Sequence, residues 1–317
     1  MWPFLIFFIS ALVLFKSSGW VIKYTIMIAK VLRLPTFAIG FMLLSVSTSV
    51  PELSVAVFSS LEGKPGLSLG DILGSNFVDL TLILSIVCLF GGTIYMKKEE
   101  IIDLIELLFI TSLITIVIFQ IGGLSISHGL ILIVLFGFLA QKLYKSGKVD
   151  AKVFEHVEEK RWKIFAVFIT SISLLLVSAR FIVQSALQIA EMFSLTATFV
   201  GSTIVAFGTS LPELAVDLRA VRKKEYNLAI GDLFGSAVTN ITLGLGILSI
   251  MSPGKIDLRS IAGLLPFVLT SILLVWYLFN KNEKITKRDT ILLITLYILF
   301  LLSQAGIKIF NLFEFLP

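Results

Sequence analysis

A polar hexapeptide that recurs inside apolar sequence constrains this chain more than any other feature. Ser47-Thr48-Ser49-Val50-Pro51-Glu52 returns 161 residues later as Gly208-Thr209-Ser210-Leu211-Pro212-Glu213. Each copy is followed, at the same distance, by a Gly-Asp-x-x-Gly-Ser block: Gly70-Asp71-Ile72-Leu73-Gly74-Ser75 and Gly231-Asp232-Leu233-Phe234-Gly235-Ser236. The same offset aligns Gly40 with Gly201, Leu53 with Leu214, Thr81 with Thr242 and Leu82 with Leu243. Carboxylates and hydroxyls are costly in lipid, so keeping them twice within apolar sequence points to joint use.

The surroundings are those of a membrane protein. Hydrophobic residues make up 57% of the 317 and charged residues 15%. No soluble domain of this length could cover so much apolar surface, so the class is polytopic membrane protein. A crossing takes ~20 mostly apolar residues. On that rule ten helices are expected, at 3–29, 34–59, 67–91, 101–120, 124–143, 163–190, 196–219, 228–251, 259–279 and 289–312. The first is not read as a cleaved leader, because it lacks a basic n-region and a small-residue cleavage site. Cys88 is the sole cysteine, which excludes an intrachain disulfide.

Loop charges orient the bundle, since Lys and Arg collect on the cytoplasmic side. Lys30 and Arg33, Lys97 and Lys98, Lys142 to Lys163, Arg219 to Lys224, and Lys281 to Arg288 occupy alternate loops. The opposite loops hold only Lys64, Lys255 and Arg259. Both termini are therefore expected outside a cell membrane. This topology accounts for the net charge of +5 without a nucleic-acid partner. Five spans precede the polar joint and five follow it. An odd number per repeat inserts the second copy upside down, giving two inverted five-helix repeats: 1–143, a cytoplasmic linker 144–162, and 163–317. The linker is read as solvated. Its Val149, Val153 and Val157 also suit one face of a short amphipathic helix.

The repeats carry oxygen chemistry. Pro51 and Pro212 lie inside helices, where a missing N–H breaks the ladder to Ser47 and Gly208. Freed carbonyls at membrane depth need protein, water or an ion. Thr48 and Glu52 stand four residues apart on one helix face, as do Thr209 and Glu213; Ser75 with Asp79 and Ser236 with Asn240 repeat that spacing. Such oxygen-only sets suit hard cations, and the two histidines, in or near loops, give no zinc or copper site. If these helices converge, Glu52, Asp79 and Glu213 share a pocket with Asn240. One Ca²⁺ plus a proton, or about three Na⁺, would balance three carboxylates.

Structural readings exist for each piece. Proline kinks and Gly-x-x-x-Gly faces are common packing devices in bundles, and membrane hydroxyls often bond to their own backbone. The recurrence of all of them at one offset favours a binding site. Asp71 and Asp232 fit either ion-path ligands or helix-start residues. Asp217 aligns with Ala56 and is read as an entrance residue or a partner for charge near Arg219, rather than a core ligand.

At these residues the chain resembles the cation/Ca²⁺ exchanger superfamily, whose two repeats read G-T-S-x-P-E/D and G-S-x-x-x-N/D. The resemblance covers nearly the whole length and is similar in layout to the short prokaryotic Na⁺/Ca²⁺ exchangers. It implies a secondary antiporter, not an enzyme, with no cofactor and with inorganic cations as cargo. By it Glu52 and Glu213 would be the principal Ca²⁺ carboxylates, and Thr48 and Thr209 would offer backbone carbonyls. Ser49, Ser75, Ser210 and Ser236 would line Na⁺ sites, with Asp79 and Asn240 central. A monomer suffices for such a site. Three departures stand out. Asp79 and Asn240 are interchanged relative to the usual order, Ser47 replaces Gly, and Asp71 and Asp232 stand where Asn is usual. These leave H⁺ or another monovalent ion as the alternative counter-ion. An intramembrane aspartyl protease would need the two Gly-Asp pairs to form a proton-sharing dyad. A cation channel would carry flux without a counter-ion gradient.

Overall fold

The computed structural model describes residues 2–32, 44–95, 105–106, 108–113, 117, 123–146, 161–254 and 263–304. The expected span 101–120, the linker valines, Gly40 and the chain end beyond 304 lie largely or wholly outside them. Five of the described helices are long and apolar enough to cross a membrane: Trp2–Val21, Pro65–Gly91, Trp162–Met192, Ala197–Arg222 and Leu228–Met251. Val50–Leu61, Ile126–Gln141, Leu265–Lys281 and Asp289–Gln304 are shorter apolar helices. Each overlaps an expected span.

The two proline-bearing helices break at the same point. In the first, Ser45–Thr48 and Val50–Leu61 meet at Ser49 (φ −76°, ψ −1°); in the second, Ala206–Thr209 and Leu211–Arg222 meet at Ser210 (φ −79°, ψ 2°). A helical ψ is about −42°, so opening one ψ re-aims the axis while Pro51 and Pro212 sit at the start of a new segment, where no N–H is needed. The turns that follow are duplicated as well. Gly63 (φ 65°) and Lys224 (φ 63°) occupy equivalent left-handed positions. The pairs Lys64 N–H to Ser59 O (2.9 Å) and Glu225 N–H to Ala220 O (2.9 Å) close both turns alike.

The next helix of each repeat swells into a π turn midway, at Asp79–Ile83 and at Asn240–Gly244. A third π turn, Gly201–Val205, precedes the second break. Such wide turns displace a side chain without ending the helix and gather at functional sites.

Packing brings the broken and π-turned helices together. Gly70 and Gly74 lie so close to the backbone of Thr198 and Ser202 that a methyl group on Gly74 would stand 2.6 Å from Ser202 Cα. Gly201 meets the backbone of Leu67 and Asp71 in return. Small residues let backbones touch and carry polar groups inward with them. The apolar interior divides in two. A large core gathers Phe77, Phe234, Phe279 and Phe300 with Leu80, Ile83 and Ile241. A smaller one joins the long helices Trp2–Leu32 and Arg161–Met192 through Leu14, Ala179, Val183 and Ala186. Outward faces such as Leu5, Phe8 and Leu12, or Ile169, Val177 and Phe181, remain exposed for lipid.

The all-helical expectation needs one correction. Strand β1 (Ile94–Tyr95) pairs antiparallel with β2 (Lys284–Ile285), joining Ile94 to Ile285. A second clasp joins Leu124 to Gly254. Two-residue strands bury too little to leave a sequence pattern. Each clasp ties a loop of one half to a loop of the other, and the Cys88 thiol donates to Ile285 O (3.4 Å) beside the first.

Candidate cation site

Both proline breaks face the π-turned helix of the opposite half. The Thr48 hydroxyl donates to Asp232 Oδ1 (3.1 Å) and lies 2.9 Å from Ser236 Oγ. Its equivalent, Thr209, donates to Asp71 Oδ1 (3.0 Å) and lies 3.3 Å from Ser75 Oγ. Residues 161 apart thus make the same bonds in the opposite sense. Thr48 therefore turns to the other repeat rather than to Glu52, its neighbour on the helix face. Ser236 Oγ stands 3.4 Å from Glu213 Oε1, and Glu52 lies against Thr209 and Ser75. Asp79 approaches Ser210. All ten expected residues, from Thr48, Ser49 and Glu52 through Ser75, Asp79, Thr209, Ser210, Glu213 and Ser236 to Asn240, are buried.

The pocket holds more acid than three carboxylates. Asp71, Asp217 and Asp232 are buried together with Glu52, Asp79 and Glu213, while no Lys, Arg or His is buried among the described residues. The helix-start reading of Asp71 and Asp232 gives way to cross-repeat bonding. Asp217 is 1% exposed and both its oxygens lack a partner, so the reading as a partner for charge near Arg219 is not met among the described residues. Both Glu52 oxygens, both Asp79 oxygens, both Asp217 oxygens, Glu213 Oε2 and the Ser49 and Ser210 hydroxyls have no hydrogen-bond partner. Buried oxygens of this number without donors are strongly unfavourable unless something positive joins them. Among the described residues no three of the His, Cys, Asp and Glu side chains converge in a metal cage.

One residue of the site escaped the repeat pattern. Asn76 donates through Nδ2 to Ala237 O (3.0 Å) and accepts at Oδ1 from Asn240 Nδ2 (3.1 Å). A backbone carbonyl only accepts, which fixes the Asn76 amide; Asn76 Oδ1 in turn fixes Asn240. Asn240 Oδ1 is left unpartnered in the buried site. Its amide therefore presents oxygen, the atom a cation needs. Position 237 is the repeat-equivalent of Asn76 and is an alanine, so comparison of the halves hid it. The Asn beside Gly74-Ser75 was the one available signal.

Comparison with known proteins agrees with this geometry. Residues 2–141 and 163–306 match the family described as Sodium/calcium exchanger protein. The chain is 30% identical over 306 residues to the uncharacterized membrane protein MJ0091 of Methanocaldococcus jannaschii, covering 94% of this chain and 96% of that one. It is 25% identical over 344 residues to the sodium/calcium exchanger MaX1 of Methanosarcina acetivorans, covering 94% and 97%. A solved structure of the sodium-calcium exchanger NCX_Mj superposes with a TM-score of 0.69 at 25% identity, over 95% of this chain and 98% of that one. Matched in both halves and nearly end to end, the chain is a multi-pass membrane protein of the sodium/calcium exchanger family.

Proposed function

We propose that this protein is a secondary antiporter that exchanges Ca²⁺ for Na⁺ by alternating access, at a site near the bilayer midplane built by Glu52, Asp79, Glu213 and Asn240. Thr48, Ser49, Ser75, Thr209, Ser210 and Ser236 supply the surrounding oxygens. The observation that carries this reading is the burial of six carboxyls with no buried base among the described residues. Positive charge has to come from solution, and both Ca²⁺ and Na⁺ take oxygen ligands. Competition of one divalent with several monovalent ions for a shared set of carboxylates makes exchange obligatory.

The architecture we assign is ten helices in two inverted repeats, 1–143 and 163–317, with both termini outside. Supporting it are the mirrored Thr–Asp bonds, the duplicated turns and the paired π turns at Asp79 and Asn240. The two clasps support it also, since their residues repeat within one position of the same offset. Asp71 and Asp232 each bond through Oδ1 to a threonine of the opposite half, and no hydrogen bond joins the two aspartates among the described residues, which supports a transporter over a protease dyad.

The test is ⁴⁵Ca²⁺ uptake by proteoliposomes under outward Na⁺, K⁺ or H⁺ gradients. Uptake is expected with Na⁺ alone, and lost in Glu52→Gln and in Glu213→Gln while both variants still insert and purify. Uptake independent of any counter-ion gradient would establish a channel instead, and uptake driven by H⁺ but not Na⁺ would replace the coupling ion.

A further inference from the structure

The two mirrored bond chains differ at one end. One links Asp71, Thr209 and Ser75 to the neighbourhood of Glu52. The other links Asp232, Thr48 and Ser236 to Glu213. Beyond Asp232 the second chain meets another carboxyl, that of Asp217. The equivalent position in the first repeat is Ala56, so Asp71 has no such neighbour. Asp217 is 1% exposed, both its oxygens lack a donor, and so does Asp232 Oδ2. No buried Lys, Arg or His accompanies them among the described residues. Arg219 and Arg222, on the same helix, do not ion-pair with Asp217 among the described contacts. Two neighbouring carboxyls out of water cannot both stay ionised unless a cation lies between them; without one, a proton must take its place.

We propose that Asp217 and Asp232 form a second divalent-cation subsite, one helical turn beyond Glu213 on the side of the turn that joins Arg222 to Tyr226. Both Asp217 oxygens and Asp232 Oδ2, none of which has a partner, are available to it, and water completes the ~6–8 oxygens that Ca²⁺ takes. The subsite is connected to the main one through Thr48 and Ser236, so an ion moving from that face passes from two aspartates to Glu213. The opposite face, with Asp71 and Ala56, has no such stage. This rests on the cation-exchange reading and adds that the exchanger is unequal on its two faces.

The test is equilibrium ⁴⁵Ca²⁺ binding to the purified full chain in Na⁺-free buffer. The variants are Glu52→Gln with Glu213→Gln, the same pair plus Asp217→Ala, and Asp217→Ala or Asp217→Asn alone. The Glu pair is expected to lose the tight component and keep a weaker saturable one, which disappears when Asp217→Ala is added. Alanine already stands at the equivalent position 56, and Asp217→Asn keeps the shape, so loss of folding does not explain a change common to both. In vesicles of known orientation, Asp217→Ala is expected to raise the Ca²⁺ KM about tenfold on one face and leave the other unchanged, a coupling of ~1.4 kcal/mol. A Glu pair with no residual binding, or residual binding that survives Asp217→Ala, overturns the subsite. Wild-type binding in the Glu pair overturns the main site instead, and the single Asp217 variants then decide the subsite alone.

Discussion

At the scale of single residues, the site is held by hydroxyls that reach across the repeat boundary. Thr48→Val and Thr209→Val each strand a buried aspartate, which costs ~1–3 kcal/mol for an unsatisfied acceptor. Because the two bonds are equivalent, both variants are expected to lower Tm by similar amounts, with Thr→Ser at either position near wild type; thermal unfolding in detergent measures this. Asn76 gives a second prediction. Asn76→Ala frees the Asn240 amide to turn its NH₂ into the site, so Ca²⁺ affinity falls about tenfold by equilibrium binding, while Asn240→Ala in the same background adds less than it does alone. The legible part of the site was the part that repeats: Glu52 with Glu213, Ser75 with Ser236. The cross-bonds were not legible, because a chain read in order shows Thr48 four residues from Glu52 and gives no register for two halves docked in opposite senses. Asp217 and Asn76 were obscured for the opposite reason, that each faces an alanine in the other copy.

At the scale of elements, breaks and wide turns place the candidate ligands while glycines set how near their helices come. Gly208 and Gly201 look alike in sequence but differ here. Nothing lies within 4 Å of a methyl group at Gly208, and its equivalent is already Ser47. Gly208→Ser is therefore expected to fold and transport normally. Gly201→Ala and Gly70→Ala push against backbone atoms that cannot give way, with overpacking that costs roughly 1–3 kcal/mol. Both should lower Tm and reduce ⁴⁵Ca²⁺ uptake. Hydropathy located the spans because length and apolarity are set by the bilayer, and the prolines located the breaks. The π turns at Asp79 and Asn240 had no such marker: in helices that are apolar nearly all round, a one-residue shift of the period leaves no visible break in the pattern.

At the scale of the whole molecule, the divided interior suggests what moves. The helices Trp2–Leu32 and Arg161–Met192 hold each other through a small core that also takes in Val55, Leu67, Val200 and Val205, and that is distinct from the one that carries Phe77 and Phe234. Inverted repeats generally support rigid-body movement around a fixed site, and this long, lipid-facing pair is the unit expected to slide. Single cysteines along Trp2–Leu32, in a Cys88→Ser background, are expected to change their thiol-labelling rates between Na⁺ and Ca²⁺. Equal rates in both ions and in ion-free buffer would exclude that motion. The clasps at Ile94–Ile285 and Leu124–Gly254 carry a different consequence. Together with the Thr–Asp bonds and the Asn76–Asn240 pair they are all noncovalent contacts between halves. Two separate polypeptides, 1–150 and 151–317, made in one cell should therefore find each other, co-purify and exchange ions, each serving as the template on which the other completes its shape.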